Sequence, residues 1–235
     1  TDNEVLTVAD ATTAECVKLF EGVYRDVNIA LANELAGMAE ELGVDVTEAI
    51  DTANTQPYCD IHDPGPGVGG HCIPYYPHFL IAEFESATPL LETAREVNDS
   101  MPAFTVAKTA DELAATGRDL ADSTVAVLGL TYRPGVDETR ASPGVAVAEL
   151  LAERAGEVVA VDPVCSEEPP AGVDRVALAD LDGVDLDAAV LTTAHETFEG
   201  IDWSAFEDLV VVDGHRAVDG AAGHPVYAIG DGSGK

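Results

Sequence analysis

Basic residues are what this chain has least of. Lysine occurs only at Lys18, Lys108 and Lys235, and 11 Lys+Arg stand against 44 Asp+Glu, a formal net charge of −33 over 235 residues. A field of that sign repels nucleic-acid phosphates and anionic lipid, so neither is expected as a partner. Long apolar runs are missing too. None reaches membrane-spanning length, although 46% apolar residues are enough for a packed core. Cys16, Cys59, Cys72 and Cys165 are too few and too scattered for a disulfide framework and read as reduced thiols of a cytoplasmic protein. No internal repeat, low-complexity tract or signal peptide is apparent. The chain opens on Thr1 rather than Met, in acidic text, and reads as a fragment. Its acid is spread along the whole length, and periodic apolar positions argue against disorder. Self-repulsion on this scale strains a compact state unless salt screens it, so adaptation to a salt-rich cytoplasm is the simplest account.

What is present divides into two textures. Residues 1–117 read as helical. Thr12 or Thr13 is the expected cap of a long helix over 13–42, with Glu15 in its first turn and Gly43 at its end. Val17, Phe20, Tyr24, Val27, Leu31, Leu35, Met38 and Leu42 recur at steps of 3 and 4 and form one stripe, which calls for a partner helix within or between subunits. Lys18, Arg25 and Asn28 lie on the other side, where Lys18 is either a functional cation or a solvated charge. Short helices are expected over 46–54 and 77–86, and a further helical pattern over 90–113 interrupted at Pro102. Residues 118–235 alternate strand and helix. Strands are expected over 123–130, 157–161, 188–191 and 209–212, with a helix over 143–155 that opens on proline. That alternation predicts a parallel, Rossmann-like α/β sheet with ligands at its carboxyl ends. Those ends carry Tyr132, Arg133 and Arg140, then Asp162, and finally Asp213, His215 and Arg216. Arginines after the first strand suit a phosphate; alternatively Arg140 pairs with Asp137 to hold its loop.

The chemistry concentrates in a glycine-rich loop over 63–74 that ends on Cys72. Gly65, Gly67 and Gly70 match the spacing of a dinucleotide fingerprint, but no strand pattern leads in, Pro66 interrupts, and no helix pattern opens behind, so the match is rejected. Gly129 begins a second candidate, yet Thr131 and Pro134 replace the remaining glycines, which makes a poor NAD site. A tight surface loop beside a buried cysteine is the plain alternative. Cys59, His62, His71, Cys72 and His78 crowd together without a usual zinc spacing, and no metal is expected. A thiolate that attacks an aldehyde needs an oxyanion partner and a hydride acceptor. The loop amides and Lys18 could supply the first; nothing here supplies the second.

Several blocks carry a resemblance: residues 14–19 (AECVKL) with 24–34 (YRDVNIALANE), 64–74 (PGPGVGGHCIP), 94–102 (AREVNDSMP), 127–143 (VLGLTYRPGVDETRASP) and 161–163 (VDP), with a weaker tail over 212–214 and 227–230. In these the chain resembles the nucleotide-sugar 6-dehydrogenases, and its HCIP wording is more similar to the branch acting on UDP-N-acetylhexosamines, mannosamine or glucosamine, than to the UDP-glucose branch. The resemblance implies a central helical dimerisation domain (1–117) and a UDP-binding domain (118–235), with the N-terminal NAD-binding domain absent. It implies NAD as cofactor, held mainly by that missing domain or by a separate polypeptide, a UDP-N-acetylhexosamine substrate, a homodimer through the long helix, and a place in polysaccharide biosynthesis. By the same resemblance Cys72 is the nucleophile and Lys18 the oxyanion partner. Gly65, Gly67, Val68, Gly69, Gly70 and His71, with Tyr132 and Arg133, hold the UDP-sugar, as does His215 or Arg216. Arg140 reaches NAD. Two positions depart from the pattern: Gly22 stands where the family usually has Asn, and Tyr76 where it usually has Asp. A catalytically inactive UDP-sugar-binding or assembly module is therefore the alternative function.

Overall fold

The computed structural model describes residues 5–218, 221 and 223–232. The first helix, α1 (Ala11–Gly37), is capped by Asp10, whose carboxylate accepts from the Thr13 amide at 2.8 Å. The cap thus falls before Thr12 and Thr13, and Glu15 lies beyond the first turn. Met38 breaks the helix into a short continuation, α2 (Ala39–Leu42), which stops at left-handed Gly43 (φ 66°).

Most of the apolar stripe of α1 stays exposed; Val27 is half-buried and Leu35 packs on the small cluster of Val46 and Ile50. Phe20 is 59% exposed and Met38 39%, with Val17, Tyr24, Leu31 and Leu42 between them. The buried positions are Gly22, Asp26, Ala30, Ala32, Asn33 and Ala36. Small side chains let α1 lie close against α5 (Pro89–Ala115), and polar ones pair across the contact. Helix α5 runs unbroken through Pro102, correcting the expected interruption. Proline in a helix interior costs about 3 kcal/mol. Buried contacts at Met101, Pro102, Val106 and Leu113 offset it, and the Thr105 and Thr109 hydroxyls donate to the carbonyls one turn earlier. Between these long helices lie α3 (Val46–Ala53) and α4 (Tyr76–Glu83).

The sheet consists of β1 (Thr124–Leu128), β2 (Glu157–Val161), β3 (Asp174–Arg175), β4 (Ala188–Leu191), β5 (Val210–Asp213) and β6 (Val226–Ala228), all parallel, in the order β3-β2-β1-β4-β5-β6. The fold is α/β, as expected. One face is covered by α5 and by α6 (Pro143–Ala152), which Ser142 caps. On the other face, short 3-10 turns over 178–183, 196–200 and 203–205 bring Leu181, Phe198 and Trp203 onto the strands. A single apolar cluster runs from Ala36, Met101 and Leu113 to Val127, Val190 and Ile229, so helices and sheet share a core. Among the described residues no helix is long and apolar enough to cross a membrane.

Candidate active site between the helices and the sheet

The glycine loop lies where the two textures meet, and a buried polar chain holds it from the helical side. The Gly65 amide donates to Asn33 Oδ1 at 2.9 Å; Asn33 Nδ2 donates to Asn98 Oδ1 at 2.9 Å; Asn98 Nδ2 donates to Asp26 Oδ1 at 2.9 Å. Arg95 Nη1 donates to that same oxygen at 2.5 Å and also pairs with Asp99. Asp26, Asn33, Arg95 and Asn98 are all buried. Burial pushes the Asp26 carboxyl above its ordinary pKa, against the pull of the Arg95 charge. These residues sit inside the resembling blocks, yet their joint role shows only when α1 and α5 are laid together.

From the other side the loop rests on the sheet domain. The Gly70 amide donates to the Arg140 carbonyl at 2.9 Å. A Cβ at Gly69 would come within 2.8 Å of both the Ala141 carbonyl and Tyr132 Cβ, and one at Gly70 (φ 96°) within 2.8 Å of the Tyr132 ring. Glycine is thus required by close approach at the first and by backbone as well at the second. Gly65 lies over the His215 ring, and Gly67 and Val68 border a cavity of about 310 Å³ with Pro143 and Asn98. His71 Nε2 is 3.0 Å from Glu138 Oε2, and that bond draws the Glu138 carboxyl below its ordinary pKa.

The arginines distribute differently from one another. Arg133 stacks over the Tyr132 ring at 5.6 Å. Arg140, half exposed, approaches Glu138 at 3.8 Å rather than Asp137, which instead accepts from the Ser166 amide. Arg216 (φ 54°) makes two bonds of 2.7 and 2.8 Å to Asp45, the cap of α3. Its neighbour His215 lies against the loop with its residue surface partly open to solvent and Nε2 3.0 Å from the Thr192 carbonyl, and desolvation of the ring lowers its pKa. Of this pair, the structure brings His215 to the loop and ties Arg216 to α3.

Cys72 ends the loop exposed, not buried. It opens on a cavity of about 370 Å³ shared with Lys18, Gly22, Tyr24 and Arg25 of α1, His62 and Tyr76. Lys18 Nζ is 3.5 Å from Glu21, both largely exposed. His62 is fixed by its amide, which donates to Asn28 Oδ1 at 2.8 Å, and by the edge-on ring of Tyr24. Among the described residues, no three His, Cys, Asp or Glu side chains gather to hold a metal ion.

The sheet domain does not fit a dinucleotide at its first loop. Asp162 Oδ2 accepts from the Leu130 and Thr131 amides at 2.7 and 2.8 Å, and Oδ1 from those of Val164 and Cys165. Burial alone would raise this carboxyl, but the His195 and backbone bonds outweigh it and hold its pKa well below the usual carboxylate range. The chain's own carboxylate thus takes the amides a phosphate would need.

Residues 12–100 match the UDP-glucose/GDP-mannose dehydrogenase family, central domain, and residues 126–221 match the same family's UDP binding domain. The chain is 38% identical over 215 residues to the UDP-N-acetyl-D-mannosamine dehydrogenase of Pyrococcus horikoshii, an alignment covering 90% of this chain and 50% of the relative. With that of Escherichia coli K12 it shares 39% over 213 residues, covering 88% and 51%. The solved UDP-D-ManNAc dehydrogenase from P. horikoshii superimposes with a TM-score of 0.84 at 36% identity, covering 96% of this chain and 53% of that one. The chain spans about half the length of the curated relatives it matches.

Proposed function

From the premise that this chain belongs to the UDP-glucose/GDP-mannose dehydrogenase family, we propose that it is the helical and UDP-binding portion of a UDP-N-acetylhexosamine 6-dehydrogenase. The observation that carries this reading is the shared cavity: Cys72 and Lys18 open on one space, at the end of a glycine loop seated on the sheet domain. Cys72 is the nucleophile. Its sulfur adds to the C6 aldehyde carbon of the sugar, and the ammonium of Lys18 offsets the negative charge that develops on the oxygen. The thiohemiacetal so formed would lose hydride from C6 to give a thioester, and water would then open it, releasing the uronate and restoring the thiol. Acceptance of hydride from the alcohol and again from the thiohemiacetal is the chemistry NAD would supply when bound. The loop from Gly65 to His71, with Tyr132, Arg133 and His215, seats the UDP-sugar; Arg140, exposed at the rim, is the group assigned to NAD contact. Arg216, engaged with Asp45, serves the site by fixing the chain beside His215.

The exposed stripe of α1 supports a homodimer through that helix, and the acidic composition supports a salt-rich, cytoplasmic setting. A second reading, a UDP-sugar-binding or assembly module without turnover, draws on one observation: the Tyr76 ring, rather than a carboxylate, faces Gly22 in the cavity.

The test joins this chain to the NAD-binding domain of a matched relative and follows NADH formation with UDP-N-acetyl-D-mannosamine and UDP-N-acetyl-D-glucosamine. Turnover that Cys72→Ser abolishes is the expected result. UDP-sugar binding without turnover would favour the module, and no UDP-sugar binding would remove both readings.

A further inference from the structure

The glycine loop has a narrow grip on the helices. Pro64 and Pro66 carry no N–H, so Gly65 supplies the one backbone donor over 64–66. Gly65 is buried, where an amide needs a partner, and it donates to Asn33 Oδ1 of α1. Among the described residues, no other amide from Gly65 to Cys72 bonds to α1 or α5. Just beyond, Gly67 and Val68 have the cavity of about 310 Å³ behind them. Upstream the chain is clamped differently. The His62 amide donates to Asn28 Oδ1, and Asn28 Nδ2 donates to the Asp60 carbonyl at 2.6 Å. Asn54 accepts from the Ile61 amide at 2.9 Å and donates to the Ile61 carbonyl at 2.8 Å. Each of these two side chains has both ends on the segment it holds. Asn33 does not: its Nδ2 turns inward, to Asn98 of α5.

A side-chain amide presents an acceptor on one side and a donor on the other, and turning it over exchanges them. Asn98 cannot turn without loss. Its Nδ2 lies 2.9 Å from both the carboxylate Oδ1 and the backbone carbonyl oxygen of Asp26, and both only accept. Its own oxygen therefore faces Asn33, which must meet it with Nδ2 and so offers Oδ1 to Gly65. Acceptors at one end and a backbone donor at the other leave the buried chain a single polarity. We propose that Asn98 is a positioning residue for the glycine loop: acting through Asn33, it fixes from α5 where Gly65 sits, and so where the loop meets substrate. This rests on the reading of the loop as the seat of the UDP-sugar. Asn98 makes no hydrogen bond to the loop itself, so its influence passes through the Asn33 amide. The Asp26–Arg95 ion pair is the fixed end of the chain.

The experiment is amide hydrogen exchange of this chain by NMR, read residue by residue, with a titration of UDP. Asn33→Ala deletes the bond to Gly65 and should speed exchange there by about tenfold or more, the scale of a buried amide left unpaired. Asn98→Leu keeps the volume and leaves Asn33 in place, yet should speed Gly65 comparably. The double variant should go no further than Asn33→Ala. Ile61 and His62 should exchange as in the parent, because Asn28 and Asn54 hold them without Asn98. UDP should bind both single variants about threefold to tenfold more weakly, the net worth of one hydrogen bond. Unchanged Gly65 exchange in Asn98→Leu would overturn the proposal. So would a rise shared equally by Ile61 and His62, which marks general loosening, or a freed Gly65 with UDP affinity intact. The parent supplies a check that needs no substitution: the side-chain NH2 groups of Asn33 and Asn98 should exchange slowly, and fast exchange of either sinks the chain of bonds. Absence of UDP binding by the parent would remove the UDP-sugar reading, while the exchange pattern would still decide whether Asn98 governs Gly65.

Discussion

At the scale of single residues, the Gly22–Tyr76 contact inverts an ordinary expectation. Glycine to alanine in a helix interior normally stabilises by about 1 kcal/mol. Here Gly22→Ala should destabilise, because the methyl meets the Tyr76 ring. In a Tyr76→Ala background the same substitution should turn stabilising, a sign change that urea denaturation of the four variants would register. Asp162 supports a second expectation. Its folded pKa lies below the unfolded value near 4, so the unfolded chain binds the extra proton. The stability it contributes is present above about pH 4 and is lost as pH falls below that. Asp162→Asn should cost about 2–3 kcal/mol at neutral pH and flatten the acid limb of the stability curve by up to one proton. Neither contact was legible in the sequence. Gly22 and Tyr76 appeared there as two separate departures from a pattern, and their complementarity exists only across the packed pair α1 and α4. The thiol and the lysine could be named, by contrast, because the motifs around Cys72 and Lys18 are local.

At the scale of elements, hydrophobic period located α1 and its apolar stripe, but not the face that packs within this chain. The stripe from Val17 to Leu42 is regular, whereas the buried positions of α1 are Asp26, Ala30, Ala32, Asn33 and Ala36, with Gly22 against Tyr76 of α4. No periodicity argument can see a buried face of small and polar residues, since its cohesion comes from close backbone approach and from the hydrogen bonds of Arg95 and Asn98. Strands β2 and β4 were legible to the residue because Val158–Val161 and Ala188–Leu191 are unbroken apolar runs, the first entered from exposed Glu157. β3 and β6 were not: they have two and three residues, too short for a pattern, and only Tyr227 of β6 enters the core. The exposed stripe gives the element-scale prediction. Phe20→Glu with Leu31→Glu should leave the fold intact by circular dichroism and convert a two-copy species to one copy in analytical ultracentrifugation, because like charges would then face each other across a self-complementary surface.

At the scale of the whole molecule, charge dominates. A net charge of −33 is self-repulsive in dilute buffer, and raising KCl from about 0.1 to about 3 M shortens the screening length from about 10 Å to below about 3 Å. The melting temperature should therefore climb steeply with salt, by more than 10 °C on the order-of-magnitude scale of a few kcal/mol. A thermal scan that is flat across that range would remove the salt adaptation. The shared core and the glycine loop then carry one further consequence. The loop hangs from Asn33 on one side and leans on Tyr132, Arg140 and His215 on the other. Neither half owns Cys72. For lineages that reshuffle domains, the heritable module is the pair: a chimera joining residues 1–117 of this chain to the sheet domain of a distant cousin would inherit Lys18, Cys72 and the whole glycine loop and still lack the surface of Tyr132, Arg140 and His215 that places them.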